Sequence, residues 1–176
     1  MKILYLKTED PAISHLNYND FLHDTLLIGL RNKFGNSVVD YPGAWYMYPK
    51  ERKKRINDST EKIWGNLFTL YDSLQNYDLI DRDDIKKKIE QNFFNLIIYG
   101  SLRGKNLFLE EAIKSKSKIV FIDTSDDGFI DKSKTDKGIY FKRELYSTEK
   151  NVYPIHFAIP KKKIISSINL NPENIL

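Results

Sequence analysis

The sequence predicts an α/β fold in which helices cover both faces of an open, mostly parallel sheet. Strand-like and helix-like segments alternate along most of the chain, as they do in sheets built from strand–helix–strand units. Two of the strand-like segments, 96–99 and 119–122, are apolar at consecutive positions rather than at alternate ones. Such runs are typical of strands that are buried on both faces, which favours a parallel sheet.

The first predicted strand occupies residues 1–6, and a helix follows from about Tyr18 to Lys33, with Gly35 at its end. A second strand is predicted over residues 37–41, where Pro42 and Gly43 close it. An aromatic loop, 44–49, and a charged run, 50–55, come next, and we expect the charged run to be a solvated connection.

The rest of the chain contains three predicted helices and the remaining strands. Two of the helices have capping signals, because Asp58 precedes Glu61 by three residues and Asp81 precedes Asp84 by the same interval. The third helix covers about Asn106 to Ser115. The predicted strands of this part are 96–99, 118–122, 138–141 and 153–160.

Length and composition restrict the class of protein. The 176 residues, of which 41% are hydrophobic, suffice for one domain with a substantial core, which we assign to residues 1–160, with 161–176 as a tail or the start of a linker. Cysteine is absent, which excludes disulfides, thiolate zinc sites and cysteine nucleophiles. No apolar run approaches the roughly 20 residues of a membrane span, and no signal-peptide core follows Met1, so we predict a cytoplasmic protein.

Acidic side chains follow the most apolar of the predicted strands. Asp123, Asp126 and Asp127 come directly after residues 118–122. Ligands of open α/β sheets lie beyond the carboxyl ends of the strands, so these carboxylates are candidates to accept hydrogen bonds from a sugar or to bind a divalent cation. The alternative is that Asp123 caps the turn and its neighbours merely form it.

Basic side chains follow the next strand. Lys142 and Arg143 come after the apolar run 138–141, and Glu144 follows them. The two cations could contact an anionic ligand at the same edge of the sheet, and the alternative is ordinary surface ion pairing.

A third candidate segment lies between the strand at 96–99 and the following helix. Gly100, Ser101 and Arg103 occupy a turn where free backbone N–H groups and the helix dipole favour an anion. The segment has neither the P-loop spacing nor the dinucleotide-binding spacing, and a tight turn would need the same glycines.

Other classes of site lack their motifs. His15, His23 and His156 are dispersed, no zinc-binding spacing or nucleophile elbow occurs, and no catalytic base or metal site can be assigned. We expect His23 to be a packing or surface residue. The cations of 50–55 beside the aromatic loop suggest nucleic acid only weakly, and the net charge of +4 adds little. The aromatic loop could instead be an exposed anchor for a protein partner.

Several segments in their order resemble the amino-terminal half of bacterial glycosyltransferase-like proteins of the two-Rossmann (GT-B) type. The resemblance extends from about Ile3 to Pro160, and its most specific parts are the Asp126-Asp127 turn and the run from Phe141 to Leu145. Thr124 and Ser125 stand where the family has Gly-Glu, so a metal site is less expected. The segments are 27–35, 38–42, 47–48, 96–103, 119–123 with 126–127, 140–145 and 154–160.

The resemblance implies a Rossmann-like domain that contributes one wall of an acceptor or nucleotide-sugar site and is inactive without a second domain. It implies a nucleotide-sugar as the donor, whereas the residues themselves indicate no cofactor and leave open whether the chain is an enzyme. It places Asp123, Asp127, Lys142 and Arg143 on that wall, with the turn from Gly100 to Arg103 beside it. The alternative is a non-catalytic α/β binding module or a protein-interaction module.

Overall fold

Six parallel strands form a single sheet in the computed structural model, which describes residues 1–7, 21–57, 70, 72–102 and 104–156. Every strand pair is parallel, so the predicted α/β class with its open parallel sheet is confirmed. The sheet has the order β2-β1-β3-β4-β5-β6. The strands are β1 (Ile3–Leu6), β2 (Val38–Tyr41), β3 (Leu96–Tyr99), β4 (Lys118–Asp123), β5 (Ile139–Lys142) and β6 (Val152–Pro154).

The strand order determines which face of the sheet each connection covers. It is the flavodoxin-like order 2-1-3-4-5 with a sixth strand added, and it reverses direction at β1. Because connections between parallel strands are right-handed, the connection from β1 to β2 covers one face and the later connections cover the other. The four side chains of β1 are accordingly buried on both faces of the sheet.

Five helices accompany these strands in the part of the chain that the structure describes. They are α1 (Phe21–Phe34), α2 (Pro49–Asn57), α3 (Ile85–Glu90), α4 (Leu109–Lys114) and α5 (Lys132–Thr135). α1 ends where predicted, because Gly35 adopts a positive φ of 57° that suits the residue after a helix. None of the described helices has the length and apolar character that crossing a bilayer requires.

Two predictions for residues 44–55 are wrong. The charged run expected to be a solvated connection lies within α2, which begins at Pro49 in the position that proline favours in a helix. The aromatic loop is not exposed: it forms a 3-10 turn, Trp45–Met47, whose side chains are buried together with Tyr48. Its contacts come from residues distant in sequence, which the local pattern could not reveal.

Other differences concern element boundaries. The helix predicted from Asn106 begins only at Leu109, and the short α5 was not predicted at all. The helix predicted after Asp58, the end of the last predicted strand at 157–160 and the predicted tail 161–176 lie outside the described residues.

Candidate functional site

The two candidate segments that follow β4 and β5 meet at the carboxyl edge of the sheet. Asp123 and Lys142 are register partners at the ends of these neighbouring strands. The Lys142 Nζ lies 3.2 Å from the Asp123 Oδ2, so the two side chains form an ion pair. The two strand ends are also linked through the backbone, because the N–H of Arg143 donates a hydrogen bond to the Asp123 carbonyl at 3.0 Å.

Asp123 is buried, and its two carboxylate oxygens accept hydrogen bonds from different residues. Oδ1 accepts hydrogen bonds from the backbone N–H of Ser125 at 3.0 Å and from its hydroxyl at 2.7 Å, which caps the turn after β4. Oδ2 accepts from the Tyr140 hydroxyl at 2.6 Å. Tyr140 and Lys142 reach the same carboxylate because they are two residues apart and therefore share one face of β5. Burial and this carboxylate raise the pKa of Tyr140, so its hydroxyl stays protonated and donates.

Lys142 is completely buried, and its ammonium contacts groups of the protein itself. Nζ donates to the Ser125 hydroxyl oxygen at 2.5 Å and lies 3.4 Å from the Asp127 Oδ1, in addition to its contact with Asp123. From the sequence, this cation could contact an anionic ligand or form an ordinary ion pair. In the structure, two carboxylates neutralise it and connect the end of β5 to the turn after β4.

Asp127 is the exposed end of this network. Its Oδ1 accepts a hydrogen bond from the backbone N–H of Phe129 at 2.9 Å and also faces Lys142, yet 64% of its side chain is accessible to solvent. The Phe129 N–H, followed by the Lys142 charge, lowers the pKa of this carboxyl below its ordinary value. Asp127 is thus an ionised acceptor that is held in place and open to solvent.

Arg143 forms an ion pair with Asp126 beside this network. Its guanidinium also lies 3.6 Å from the Glu144 carboxylate, and only 11% of the Arg143 side chain is exposed, against 80% of the Asp126 side chain. Both cations that we predicted for this edge are therefore paired with neighbouring carboxylates.

The predicted anion-binding turn after β3 lacks the helix that the prediction required. α4 begins at Leu109, so residues 104–108 separate the turn from a helix N-terminus. Ser101 is buried, and its hydroxyl lies 3.5 Å from that of Thr124 after β4. Gly100 serves close packing, because a Cβ there would come within 2.5 Å of the Tyr5 hydroxyl. Arg103 lies outside the described residues.

Two exposed aromatic rings flank the acidic turn, and neither was predicted from the sequence to be a site residue. Phe129 is 72% exposed and Tyr146 is 76% exposed. The Tyr146 ring lies against Gly128, where an added Cβ would come within 2.4 Å of the ring carbon Cδ2. Their one signal in the sequence was that each ring follows a strand end by only a few residues.

A second polar cluster lies beyond β1 and β2, where the strand order reverses. Asp24 of α1 is fully buried, and its Oδ1 accepts from the Tyr46 hydroxyl at 2.5 Å and lies 3.3 Å from the His23 Nδ1. Burial, followed by Asp24, raises the pKa of Tyr46. The His23 ring is buried against Tyr5, with 4.8 Å between ring centroids, so of the two expected positions, packed or at the surface, His23 has the packed one. Asp24 was missed, because its partner Tyr46 is 22 residues away.

Asp40 at the end of β2 organises the buried aromatic turn. It accepts hydrogen bonds from the Ala44 N–H at 2.9 Å and from the Tyr48 hydroxyl at 3.0 Å, and it pairs with Arg82 at 2.7 Å. Nearby, Arg55 of α2 lies over the Trp45 ring, with 5.4 Å from the guanidinium carbon to the ring centroid. The aromatic side chains that we considered as a partner anchor or nucleic-acid surface are therefore core residues.

No group of three His, Asp or Glu side chains that could hold a metal ion occurs within the described ranges. The fold and the site together define an open, parallel, Rossmann-like α/β domain with a charged network at the carboxyl ends of β4 and β5. No protein-family model matches the chain, and no curated protein or solved structure is detectably similar to it. The resemblance to glycosyltransferases therefore stays a prediction that rests on the residues quoted for it.

Proposed function

We propose that this domain binds a sugar-containing ligand at the carboxyl ends of β4 and β5, as one wall of a glycosyltransferase-like site. The observation that carries the proposal is the completely buried Lys142, held between Asp123 and Asp127. Burying such charges is costly, and well-packed apolar side chains of similar size often give equal or greater stability. What distinguishes this network from the equally buried pair of Asp40 and Arg82 is that Asp126 and Asp127 stay exposed at the carboxyl edge, which is the edge where open α/β sheets bind ligands.

In this proposal the network positions the exposed carboxylates. Lys142 and the Phe129 N–H fix Asp127, and Arg143 fixes Asp126, so both acceptors are oriented before the ligand arrives. Sugar hydroxyls are hydrogen-bond donors that such carboxylates recognise, and an acceptor fixed in advance loses little entropy on binding.

The proposal assigns binding to this chain and assigns glycosyl transfer only to an assembly with a second Rossmann-like domain, which would supply the opposite wall. The same contacts would serve a non-catalytic binding domain. A glycosyltransferase-like domain and a non-catalytic binding domain would use the same candidate acceptors. A binding experiment therefore tests the ligand site that both interpretations require.

The test is titration of the protein with methyl β-glucoside, N-acetylglucosamine, cellobiose, UDP and UDP-glucose, followed by isothermal calorimetry and ligand-observed NMR. We expect at least one sugar-containing compound to bind. Replacement of Asp127 by Asn should weaken that binding about tenfold to a hundredfold, the usual effect of losing a hydrogen bond to a charged group.

Asp81→Asn is the matched control. Asp81 is also an exposed carboxylate that accepts from a lysine, with 2.6 Å to the Lys88 Nζ, and its pKa is likewise lowered, chiefly by that hydrogen bond. The control should bind as the wild type does. If the wild type binds none of the five compounds, or if Asp127→Asn binds as tightly as the wild type, the proposal is refuted.

A further inference from the structure

We infer that Phe129 and Tyr146, the aromatic pair, stack against the ring of the ligand, and that this ligand is a neutral saccharide rather than a nucleotide. The inference rests on the proposed function and specifies the substrate class of that site. Its starting point is the exposure of both rings, 72% for Phe129 and 76% for Tyr146, whereas Phe121 of β4 and Tyr140 of β5 are buried.

Both rings lie at the acidic turn that contains the candidate acceptors. Gly128 separates Asp127 from Phe129, and the Tyr146 ring lies directly on Gly128. The Phe129 backbone is itself held by its hydrogen bond to the Asp127 carboxylate. Aromatic side chains have only two χ angles, so they offer a large contact area at a small entropic cost.

The charges around the aromatic pair disfavour a phosphate group. Four carboxylates face two cations, which leaves a net charge of minus two. Both cations are largely buried and paired with those carboxylates, whereas the side chains of Asp126 and Asp127 are 80% and 64% exposed. The four carboxylates belong to Asp123, Asp126, Asp127 and Glu144, and the two cations to Lys142 and Arg143.

A neutral saccharide satisfies both features at once. The C–H face of a pyranose ring is apolar and packs on an aromatic face, while its hydroxyls donate to carboxylates. A nucleotide also has a ring that can stack. Its phosphates, however, would lie next to the exposed carboxylates, and negative charges in close contact repel each other. Of the acceptor and donor roles that the resemblance leaves open, the surface here fits a neutral acceptor.

Saturation-transfer NMR with methyl β-glucoside and cellobiose tests the inference, with UDP and inorganic phosphate as competitors. Saturation of the aromatic protons should reach the C–H protons of the sugar ring, and neither competitor should displace the sugar. Tyr146→Ala and Phe129→Ala should each weaken binding about two- to tenfold, as expected for loss of one aromatic contact. Both rings are exposed, so these variants keep the fold.

Gly128→Ala and Phe93→Ala provide a second variant and a control. The new Cβ at residue 128 would displace the exposed Tyr146 ring, so Gly128→Ala should reproduce the loss caused by Tyr146→Ala while leaving the tyrosine in the chain. Phe93 is 45% exposed but precedes β3, at the opposite edge of the sheet, and Phe93→Ala should bind as the wild type does.

The two proposals fail in different ways. If sugars bind in an Asp127-dependent manner but Tyr146→Ala and Phe129→Ala retain wild-type affinity, the aromatic pair has no role and this inference is wrong, whereas the proposed function survives. Tighter binding of UDP than of the sugars, with loss in Tyr146→Ala, would also overturn it. Absence of any binding would refute the proposed function itself.

Discussion

At the scale of single residues, Lys142 is the least expected feature of the molecule. Strand residues that are buried on both faces are normally apolar, yet this lysine ends β5 with no exposed surface. Its ammonium is tolerated because Asp123, Ser125 and Asp127 surround it. A buried charge of this kind depends on its partners, since removing one of them leaves the other unpaired.

Lys142→Met should therefore destabilise the fold by about 3–5 kcal/mol, the cost of breaking a buried ion pair from one side. Asp123 is the partner left behind, so the same substitution in an Asp123→Asn background should cost markedly less. Urea unfolding of the two single variants and the double variant gives the coupling energy.

Lys88→Met is the comparison for that experiment. Lys88 pairs with Asp81 at 2.6 Å, but that carboxylate is largely exposed and solvent screens the pair, so the loss should be far smaller than that for Lys142→Met. Equal losses for Lys88→Met and Lys142→Met would show that the pair in the network at the carboxyl edge is no more desolvated than a surface pair.

At the scale of elements, β3 and α1 pack so closely that a glycine is required between them. Gly100 follows β3, and a Cβ there would come within 2.5 Å of the Tyr5 hydroxyl and 2.6 Å of the His23 Cδ2. Both neighbours are buried, and the Tyr5 hydroxyl donates to the His23 carbonyl at 2.9 Å, so neither can move away easily.

Gly100→Ala should consequently destabilise the protein by about 1–3 kcal/mol, the usual cost of overpacking. Gly29→Ala is the control, because Gly29 is exposed within α1 and no atom lies within 4 Å of the position that its Cβ would take. That variant should gain about 0.5–1 kcal/mol from the better helix propensity of alanine. Thermal and urea unfolding measure both changes, and a neutral Gly100→Ala would contradict the close approach.

The elements also show which predictions the sequence could support. Runs such as Leu96–Tyr99 predicted strands correctly, because an unbroken apolar segment can be buried only between two layers. The meeting of Asp123 with Lys142 followed from the parallel order, which brings strand ends to one edge. α2 was missed because its side chains are almost all charged and show no apolar face. The burial of Tyr46 was missed because it depends on Asp24, which lies in another element.

The pairing of Lys142 with carboxylates of the protein itself could not be predicted from the sequence either, because it also depends on contacts between different elements. The sequence places a lysine and three aspartates at the same edge, but whether the ammonium faces a ligand or its own carboxylates depends on the strand register and on side-chain conformation. The register pairs Asp123 with Lys142 and turns Tyr140 toward the same carboxylate. A shift of one residue in β5 would have pointed Lys142 to the other face of the sheet.

At the scale of the whole molecule, the carboxyl edge of the sheet has two polar clusters that differ in their exposure to solvent. The cluster beyond β1 and β2 is closed: Asp24 and Asp40 are buried and hydrogen-bonded to buried tyrosines. The cluster beyond β4 and β5 is open, since Asp127 and Tyr146 are exposed. This difference suggests that one end of the edge serves stability and the other serves binding, and paired substitutions can test it.

Arg82→Ala and Tyr146→Ala form that pair. Arg82 donates to the Asp40 carboxylate at 2.7 Å, to the Asp40 carbonyl at 2.8 Å and to the Tyr77 carbonyl at 3.0 Å, and its guanidinium carbon lies 3.9 Å from the Tyr77 ring centroid. Its removal leaves Asp40 buried without a cation, so stability should fall by about 3–5 kcal/mol while the folded protein binds saccharides as the wild type does.

Tyr146→Ala should give the opposite result, with weaker saccharide binding and stability within about 0.5 kcal/mol of the wild type, because an exposed ring contributes little to folding. Urea unfolding and calorimetric titration of both variants separate the two effects. A loss of affinity in Arg82→Ala as large as that in Tyr146→Ala would mean that the two clusters are coupled through the sheet, in which β3 lies between them. Independent effects would assign folding to the closed cluster and recognition to the open one.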